Sequence, residues 1–336
     1  MNVIVHNDRC NLNCTYCLKQ VKGSNKPLTC DFIDSILNKY PLEKIESVII
    51  NGYEPLMEFP IIEYLIKKHN LKIIFTTNGI LVHGEIAKFL LENKNYFDIT
   101  LSLDGNRETN DRNRGIGTYD MIDIDIFLEL NTSINMTVVS NNIADLSKSI
   151  KHILNLGFKD VKFNLDFLHD FTSDEFIIYV KNLNELTHYY LENTLELPIR
   201  REIFVTSEKT CSLIEPKVNR EYRYYDINGK EYPCFICQAY NIKPIIKKEL
   251  SSKCGKCKIL YLCANCIAKN IYQTGSHVKS PINCSMIKAD LWFIYLVLSY
   301  RINKKIMKIN QFQKDCMKKL FDSLSSTWKD YDKYLK

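Results

Sequence analysis

The sequence predicts an α/β fold: a partial (β/α)6 TIM-like barrel, then a small cysteine-rich α+β domain and a C-terminal helix. In the first part, short apolar segments alternate six times with segments of helical periodicity. From about residue 195 this rhythm stops, and turn-forming residues and cysteines become frequent. A long apolar segment follows from residue 286. We therefore divide the chain into residues 1–195, 196–285 and 286–336, the last packing back on the barrel.

The six strand-helix units follow one another without interruption. The predicted strands are Val3–His6, Ser47–Ile50, Lys72–Phe75, Ile99–Leu103, Ile134–Val139 and Val161–Leu165. The predicted helices are one capped by Thr29, then Pro60–His69, Gly84–Glu92, Tyr119–Leu130, Leu146–Leu156 and Asp174–Glu192. Parallel strands need long crossovers of one hand, so this order predicts a parallel sheet with helices outside it. Six units are fewer than the eight that close a full barrel.

Composition limits the class of protein. The chain has 336 residues, of which 46% are hydrophobic, enough for a large core. Neither a continuous apolar span nor a signal peptide is visible, so we expect a cytoplasmic protein without a membrane partner. The formal charge is +6, and no basic stretch is interleaved with stacking aromatics, so no nucleic-acid partner is expected. The main basic cluster is a solvated face that could attract an acidic peptide, formed by Lys304, Lys305, Lys308, Lys314, Lys318 and Lys319.

Three cysteines, Cys10, Cys14 and Cys17, follow the first predicted strand within eight residues. Their spacing differs from the paired spacing of a zinc ribbon, and no fourth Cys stands within the loop to close a tetrahedral site. Three thiolates leave one iron of a 4Fe-4S cluster open to a small molecule. The alternatives are a zinc knuckle or unrelated reduced thiols.

This loop resembles the signature of the radical S-adenosylmethionine (SAM) superfamily, which has three cysteines at this spacing and an aromatic residue before the last, here Tyr16. The resemblance implies a partial barrel whose chemistry lies at the C-terminal strand ends. It also implies a 4Fe-4S cluster that binds SAM, reductive cleavage to a 5′-deoxyadenosyl radical, and reduced flavodoxin or ferredoxin as electron donor. Tyr16 would lie beside the adenine.

Further motifs after the second, third and fourth strands resemble the SAM-binding loops of the family. Asn51-Gly-Tyr-Glu-Pro55 is similar to its Gly-Gly-Glu-Pro loop, with Tyr53 in place of the second glycine. An arginine near Asp111 would hold the methionine carboxylate; Arg114 is preferred, although Arg112 is equally reachable. The resemblance thus assigns cofactor binding to Tyr16, Gly52, Glu54, Asn78, Ser102, Asp104 and Arg114.

Eight of the thirteen cysteines lie between residues 211 and 284. Eight thiols suffice for two closed clusters, although two zinc sites are the alternative. The Gly-x4-Cys and Cys-x2-Cys-x5-Cys patterns resemble the SPASM domain, the auxiliary-cluster extension of peptide-modifying radical SAM enzymes. This resemblance implies three 4Fe-4S clusters in total. It assigns Cys211, Cys234, Cys237 and Cys266 to auxiliary cluster I, and Cys254, Cys257, Cys263 and Cys284 to auxiliary cluster II. Cys30 and Cys316 are interpreted as ordinary helix residues.

The leading hypothesis from these resemblances is a maturase that abstracts hydrogen from a ribosomally made precursor peptide and forms an oxidative C–C or thioether crosslink. One alternative is formation of formylglycine on a sulfatase. Another is an iron-sulfur sensor or SAM-binding scaffold. The chain begins at the first predicted strand, so leader binding is expected to use a separate recognition protein, the barrel surface or the auxiliary domain. No catalytic residue is identified; the candidates after the sixth strand are Asp166, His169 and Asp170.

Overall fold

The computed structural model describes residues 1–17, 25–166, 169–193, 222–232, 237–238 and 280–331. Its strands are β1 Asn2–Asn7, β2 Ser47–Gly52, β3 Lys72–Thr77, β4 Phe97–Ser102, β5 Ser133–Val138, β6 Val161–Leu165, β7 Tyr222–Tyr225 and β8 Glu231–Tyr232. Its α-helices are α1 Cys30–Leu37, α2 Phe59–His69, α3 Gly84–Glu92, α4 Arg107–Arg114, α5 Ile124–Glu129, α6 Leu146–Asn155, α7 Ser173–Asn193, α8 Pro281–Asn303 and α9 Gln311–Tyr331.

The strands form one sheet in the order β6-β5-β4-β3-β2-β1-β7-β8. Strands β1 to β5 pair in parallel with their neighbours, for example Val3 opposite Val48. The predicted α/β fold with a parallel sheet is confirmed. The buried apolar residues of these strands are Val3, Val5, Val48, Ile50, Ile73, Phe75, Ile99, Leu101, Ile134, Met136 and Val138. Because parallel strands end at one edge, the loops after β1, β2, β3 and β4 can meet there.

A short hairpin from the second half of the chain extends the sheet beyond β1. Strand β7 pairs in parallel with β1, with Ile4 opposite Tyr224, and β8 pairs antiparallel with β7. No sequence pattern indicates these two strands. The segment of β7 is only four residues long, too short for a periodic signal.

The region after β4 differs from the predicted helix Tyr119–Leu130. It contains the short helix α4, a 3-10 turn at Tyr119–Met121 and then α5. Helix α4 is almost wholly polar, so apolar periodicity does not reveal it. Its start is fixed instead by Asn106, whose side chain accepts a hydrogen bond from the Thr109 N–H at 3.1 Å.

The described residues fall into two compact units. The first contains β1 to β4, nearly all of β5, and the β7–β8 hairpin; the second contains β6, α7, α8 and α9. In the second unit, α7 packs against α8. The Tyr179 hydroxyl of α7 donates a hydrogen bond to Asp290 Oδ1 of α8 at 2.6 Å, and Tyr190 stacks edge-on against Phe293.

Helix α8 is the one helix among the described residues that is long and apolar enough to cross a membrane. However, 61% of its apolar window is buried inside the protein, and the helix carries the buried Asp290 that binds Tyr179. Such burial is typical of a core helix rather than a lipid-facing one.

Replacing Tyr179 with Phe should destabilise the α7–α8 packing. The variant loses a hydrogen bond to a buried carboxylate, which should lower the free energy of unfolding by about 1.5–3 kcal/mol. Denaturant unfolding measures this loss.

The matched control is Tyr295→Phe on α8. The Tyr295 ring stacks on Trp292, and its hydroxyl makes no hydrogen bond among the described residues. This variant should retain nearly all of the unfolding free energy. Equal losses in the two variants would show that the Tyr179 hydroxyl contributes nothing specific.

Candidate functional site

The three-cysteine loop follows β1 directly. Cys10, Cys14 and Cys17 are partly buried and form no disulfide. The Leu12 N–H donates to Cys10 Sγ at 3.4 Å, and the Cys17 N–H donates to the Cys14 carbonyl at 3.0 Å. These local bonds turn the chain at Cys10 and again at Cys14.

The donor set of this loop suits an iron-sulfur cluster. Three thiols on one short loop are the ligands that a cluster with one open iron needs. Among the described residues no group of three or more Cys, His, Asp or Glu side chains already converges on a metal-sized site. Burial raises the pKa of the Cys14 thiol to about 11, which the positive charge of Arg114 partly offsets. Because metals bind thiolates, cluster binding at Cys14 must release a proton.

Glu58 holds both flanks of the cysteine loop. This buried carboxylate accepts a hydrogen bond from the Leu28 N–H at 3.1 Å, and its other oxygen lies 3.5 Å from Arg9 Nη1. The same Arg9 nitrogen donates to the Met57 carbonyl at 3.2 Å. Burial raises the pKa of Glu58, although the N–H of Leu28 and the charge of Arg9 act against that shift.

Asn7 and Gly52 bring the ends of β1 and β2 into close contact. The Asn7 side chain is fully buried and donates to the carbonyls of Glu54, at 2.8 Å, and Arg9, at 3.0 Å. Gly52 has φ +123°, and a Cβ there would lie 2.1 Å from the Asn7 carbonyl oxygen. Only glycine therefore allows the β2 end to approach β1 so closely.

Asp104 lies at the centre of the site. Its fully buried carboxylate accepts hydrogen bonds from the Tyr16 hydroxyl at 2.7 Å and from Arg114 Nη2 at 3.1 Å. Arg114 Nε lies 3.0 Å from Asp104 Oδ2, and the Thr137 N–H donates to Asp104 Oδ1 at 3.0 Å. One carboxylate thus connects the cysteine loop, the end of α4 and β5.

Electrostatics in this cluster favour a charged arginine. Burial alone disfavours the charged guanidinium, yet Asp104, Tyr16 and Cys14 raise the pKa of Arg114 above its ordinary value. Burial also raises the pKa of Tyr16 well above its ordinary value, against the effect of Arg114. The Arg114 guanidinium lies 5.6 Å from the centroid of the Tyr16 ring. Tyr16 is therefore a neutral hydrogen-bond donor here.

The structure distinguishes Arg114 from Arg112, the two arginines that the sequence offered as alternatives. Arg114 is buried beside Asp104, whereas Arg112 is exposed on the other side of α4. Asp111 shapes the turn that follows, because its carboxylate accepts bonds from the N–H groups of Gly117 and Tyr119 at 2.8 and 2.9 Å. These bonds lower the pKa of Asp111 against the effect of burial.

Glu54 lies fully buried at the end of β2. Its carboxylate accepts hydrogen bonds from the Thr77 hydroxyl and the Asn78 N–H, both at 2.7 Å, and from the Leu56 N–H at 3.0 Å. Burial nevertheless raises the pKa of Glu54 to about 7. A buried carboxylate with these partners is a suitable acceptor for an ammonium group.

Asn78 reaches the cysteine loop through a residue that sequence reasoning missed. Its amide Nδ2 donates to Asn11 Oδ1 at 2.7 Å, while its Oδ1 accepts from the Ile80 N–H at 3.0 Å. Asn11 is a spacer residue between two cysteines and gave no signal of its own. Ser102 is the partly buried last residue of β4.

The Tyr53 side chain, which replaces a glycine of the family loop, contacts His6. The two rings meet edge to face, with their centroids 5.7 Å apart. The Tyr53 N–H donates to the Asn7 carbonyl at 3.3 Å, so the main chain keeps its contact with β1.

The candidate catalytic residues lie in the second compact unit, whereas the site described above lies in the first. His169 Nε2 is 2.8 Å from Ser140 Oγ and 3.3 Å from Glu175 Oε1. Asp170 is exposed, and the Asp166 N–H donates to the Val138 carbonyl at 2.7 Å. Their catalytic role stays a prediction.

Most of the later cysteines lie outside the described residues, namely Cys211, Cys234, Cys254, Cys257, Cys263 and Cys266. Cys237 is 1% exposed, and Cys284 is partly buried in α8. Cys30 is the first residue of α1, and Cys316 is buried in α9.

A family model described as the Radical SAM superfamily matches residues 4–183, more than half of the chain. The chain belongs to the radical SAM superfamily. The matched residues include the cysteine loop and the cluster of Glu54, Asp104 and Arg114. Membership in this superfamily implies a 4Fe-4S cluster and SAM, and the cysteine loop offers the ligands for that cluster.

Two relatives show which radical SAM proteins this chain is similar to. Mycofactocin maturase MftC of Mycolicibacterium smegmatis is 32% identical over 117 residues, 33% of this chain and only 29% of that enzyme. A cysteine-type anaerobic sulfatase-maturating enzyme of Clostridium perfringens is 25% identical over 316 residues, 76% of this chain and 84% of that enzyme.

Solved structures share the fold at lower identity. AnSMEcpe with bound AdoMet and the Cp18Cys peptide has a TM-score of 0.69 at 20% identity, over 91% of this chain and 99% of that one. SuiB of Streptococcus suis bound to precursor peptide SuiA has a TM-score of 0.59 at 16% identity, over 84% of this chain and 75% of that one.

Replacing Asp104 with Ala should strongly destabilise this radical SAM protein. The variant leaves the buried Arg114 charge without its carboxylate, which should cost about 3–5 kcal/mol of unfolding free energy. Asp120→Ala is the matched control, because Asp120 pairs with Arg107 on the surface and should cost about 0–1 kcal/mol. Urea unfolding of both variants measures the difference, and similar losses would contradict the role given to Asp104.

Glu54 should make stability depend on pH. Its raised pKa means that the folded protein keeps a proton that the unfolded chain loses as the pH rises from about 4.5 to 7. Wild-type stability should therefore fall by about 3 kcal/mol relative to Glu54→Gln across this range. Glu54→Gln keeps the size of the side chain but does not titrate, so the difference in pH slope between the two proteins carries the test. Parallel slopes for the two proteins would contradict the raised pKa.

Proposed function

We propose that this radical SAM enzyme is a maturase that acts on a ribosomally made precursor peptide and joins two of its residues by an oxidative crosslink. The observation that carries the proposal is the three-cysteine loop held against the buried Asp104–Arg114 pair, within a family match that covers residues 4–183. SAM bound there supplies the 5′-deoxyadenosyl radical that removes a substrate hydrogen.

Different residues of the chain would bind different parts of SAM. Glu54 would accept the methionine ammonium, and Arg114 would bind the methionine carboxylate while Asp104 orients its guanidinium. Tyr16 would lie beside the adenine with its hydroxyl fixed by Asp104. These roles are supported by the buried contacts that link Tyr16, Asp104 and Arg114. Glu54 is connected to the cysteine loop through Asn78.

The eight later cysteines favour an oxidative product. Forming a crosslink from the substrate radical breaks a second X–H bond and releases one proton and one electron. Two auxiliary 4Fe-4S clusters, with the ligands assigned above, would accept that electron. MftC and the sulfatase-maturating enzyme are both named as maturases, and SuiB and anSMEcpe were solved with peptides bound.

A second candidate function is formylglycine formation on a sulfatase. It is favoured by the alignment with the sulfatase-maturating enzyme, which extends over 84% of that enzyme. Either reaction would take electrons from reduced flavodoxin or ferredoxin in the cytoplasm. A crosslinking maturase would additionally need a leader-binding surface or a separate recognition protein.

Replacing Cys14 with Ala should abolish SAM cleavage, because two thiolates do not hold the cluster. The measurement is the yield of 5′-deoxyadenosine from anaerobically reconstituted protein with a strong reductant. Cys30→Ala is the matched control and should give the wild-type yield, since Cys30 lies in α1 outside the loop. Undiminished cleavage by Cys14→Ala would reject the site, and a wild type without cleavage would favour a sensor or scaffold.

The substrate test separates the two maturase reactions. Small precursor peptides encoded beside this gene and a sulfatase peptide are each incubated with the active enzyme and SAM. A peptide that loses two hydrogen atoms and gives linked fragments in tandem mass spectrometry supports crosslinking. An aldehyde on the sulfatase peptide, with the precursor peptides unchanged, would overturn the leading proposal in favour of the second.

A further inference from the structure

A buried chain of hydrogen bonds lies beneath the cysteine loop and has no part in the SAM contacts described above. His6 Nε2 lies 2.9 Å from Asp8 Oδ1, and His6 Nδ1 lies 2.8 Å from the Tyr224 hydroxyl. The Tyr224 hydroxyl in turn donates to Gln238 Oε1 at 2.9 Å. His6 is 2% exposed and Tyr224 is 3% exposed, so water does not compete freely for these bonds.

The residues at the two ends of this hydrogen-bond chain are far apart in the sequence. Asp8 stands two residues before Cys10, at the start of the cysteine loop. Tyr224 belongs to β7, the strand that returns from the cysteine-rich half and pairs with β1 through only four residues. Gln238 follows the buried Cys237 directly.

Packing holds His6 in one orientation. Its ring contacts the rings of Tyr53 and Tyr224, with centroids 5.7 and 6.0 Å away. A Cβ on Gly52 would lie 2.9 Å from His6 Cε1, so the β2 end also packs against this ring. These contacts leave the His6 ring little room to rotate between Tyr224 and Asp8.

We propose that Tyr224, His6 and Asp8 form a positioning chain through which β7 fixes the start of the cysteine loop. None of the three is assigned as an iron ligand; they orient the segment that presents Cys10. Groups beyond the direct ligands commonly change metal affinity 10- to 100-fold in this way. The inference rests on the proposed function in one respect, that the loop binds the SAM-binding cluster.

Through these hydrogen bonds, the cysteine-rich half of the protein would help to determine how firmly the Cys10–Cys17 loop holds its cluster. Loss of one hydroxyl on β7, more than 200 residues after Cys10 in the sequence, should loosen the loop. A general loss of stability should not loosen the loop in the same way. A variant of a neighbouring buried tyrosine therefore serves as the control.

The experiment compares Tyr224→Phe with Tyr225→Phe in the full-length, reconstituted protein. Both residues are buried neighbours on β7, but the Tyr225 hydroxyl bonds to Tyr40 and not to His6. The probe is the SAM-dependent part of the electron paramagnetic resonance signal of the reduced protein, which reports only a cluster whose iron binds SAM. Its rate of loss is followed in the presence of an Fe²⁺ chelator.

The expected result is that Tyr224→Phe loses the SAM-dependent signal about 10-fold faster than wild type, whereas Tyr225→Phe matches wild type. Asp8→Asn, which weakens the other end of the chain, should also accelerate the loss and serves if Tyr224→Phe fails to fold. Wild-type rates in Tyr224→Phe and Asp8→Asn would overturn the inference, as would equal acceleration in both tyrosine variants. A wild type that binds iron but shows no SAM-dependent signal would overturn the proposed function itself.

Discussion

The buried ion pair between Asp104 and Arg114 is the constraint on which the site depends. Taking both charges out of water is costly, and their attraction compensates only when further hydrogen bonds complete the pair. Here the Tyr16 hydroxyl and the Thr137 N–H supply those bonds. The pair therefore orders three segments at once: the cysteine loop, the end of α4 and the end of β5.

Around this pair, the main chain is fixed by side chains that never need to touch a substrate. Asn7 ties the exit of β1 to the carbonyls of Arg9 and Glu54, and Glu58 holds the residues on both flanks of the loop. The close approach at Gly52 leaves no room for a side chain. Fixed main chain at strand ends is a general requirement for sites that must hold a reactive cofactor in one orientation.

Much of this arrangement could be predicted from the sequence because it follows from short, local patterns. The apolar segments of β1 to β6 and the spacing of Cys10, Cys14 and Cys17 are local signals. The sequence offers no physical reason to choose Arg114 over Arg112, because the reason lies in the orientation of α4, which buries Arg114 and exposes Arg112. Helix α4, strand β7 and the pairing of Asn11 with Asn78 could not be predicted. Polar helices lack periodicity, and long-range hydrogen bonds between single polar residues leave no pattern in one sequence.

The central claim is that the Cys10–Cys17 loop binds a cluster whose open iron holds SAM. The most direct test is electron-nuclear double resonance on the reduced protein with SAM labelled with ¹⁵N in its amino group and ¹⁷O in its carboxylate. The account predicts hyperfine coupling of the cluster to both labels in the wild type and its loss in Cys17→Ala. A reduced, iron-loaded wild type without coupling to either label would contradict the account.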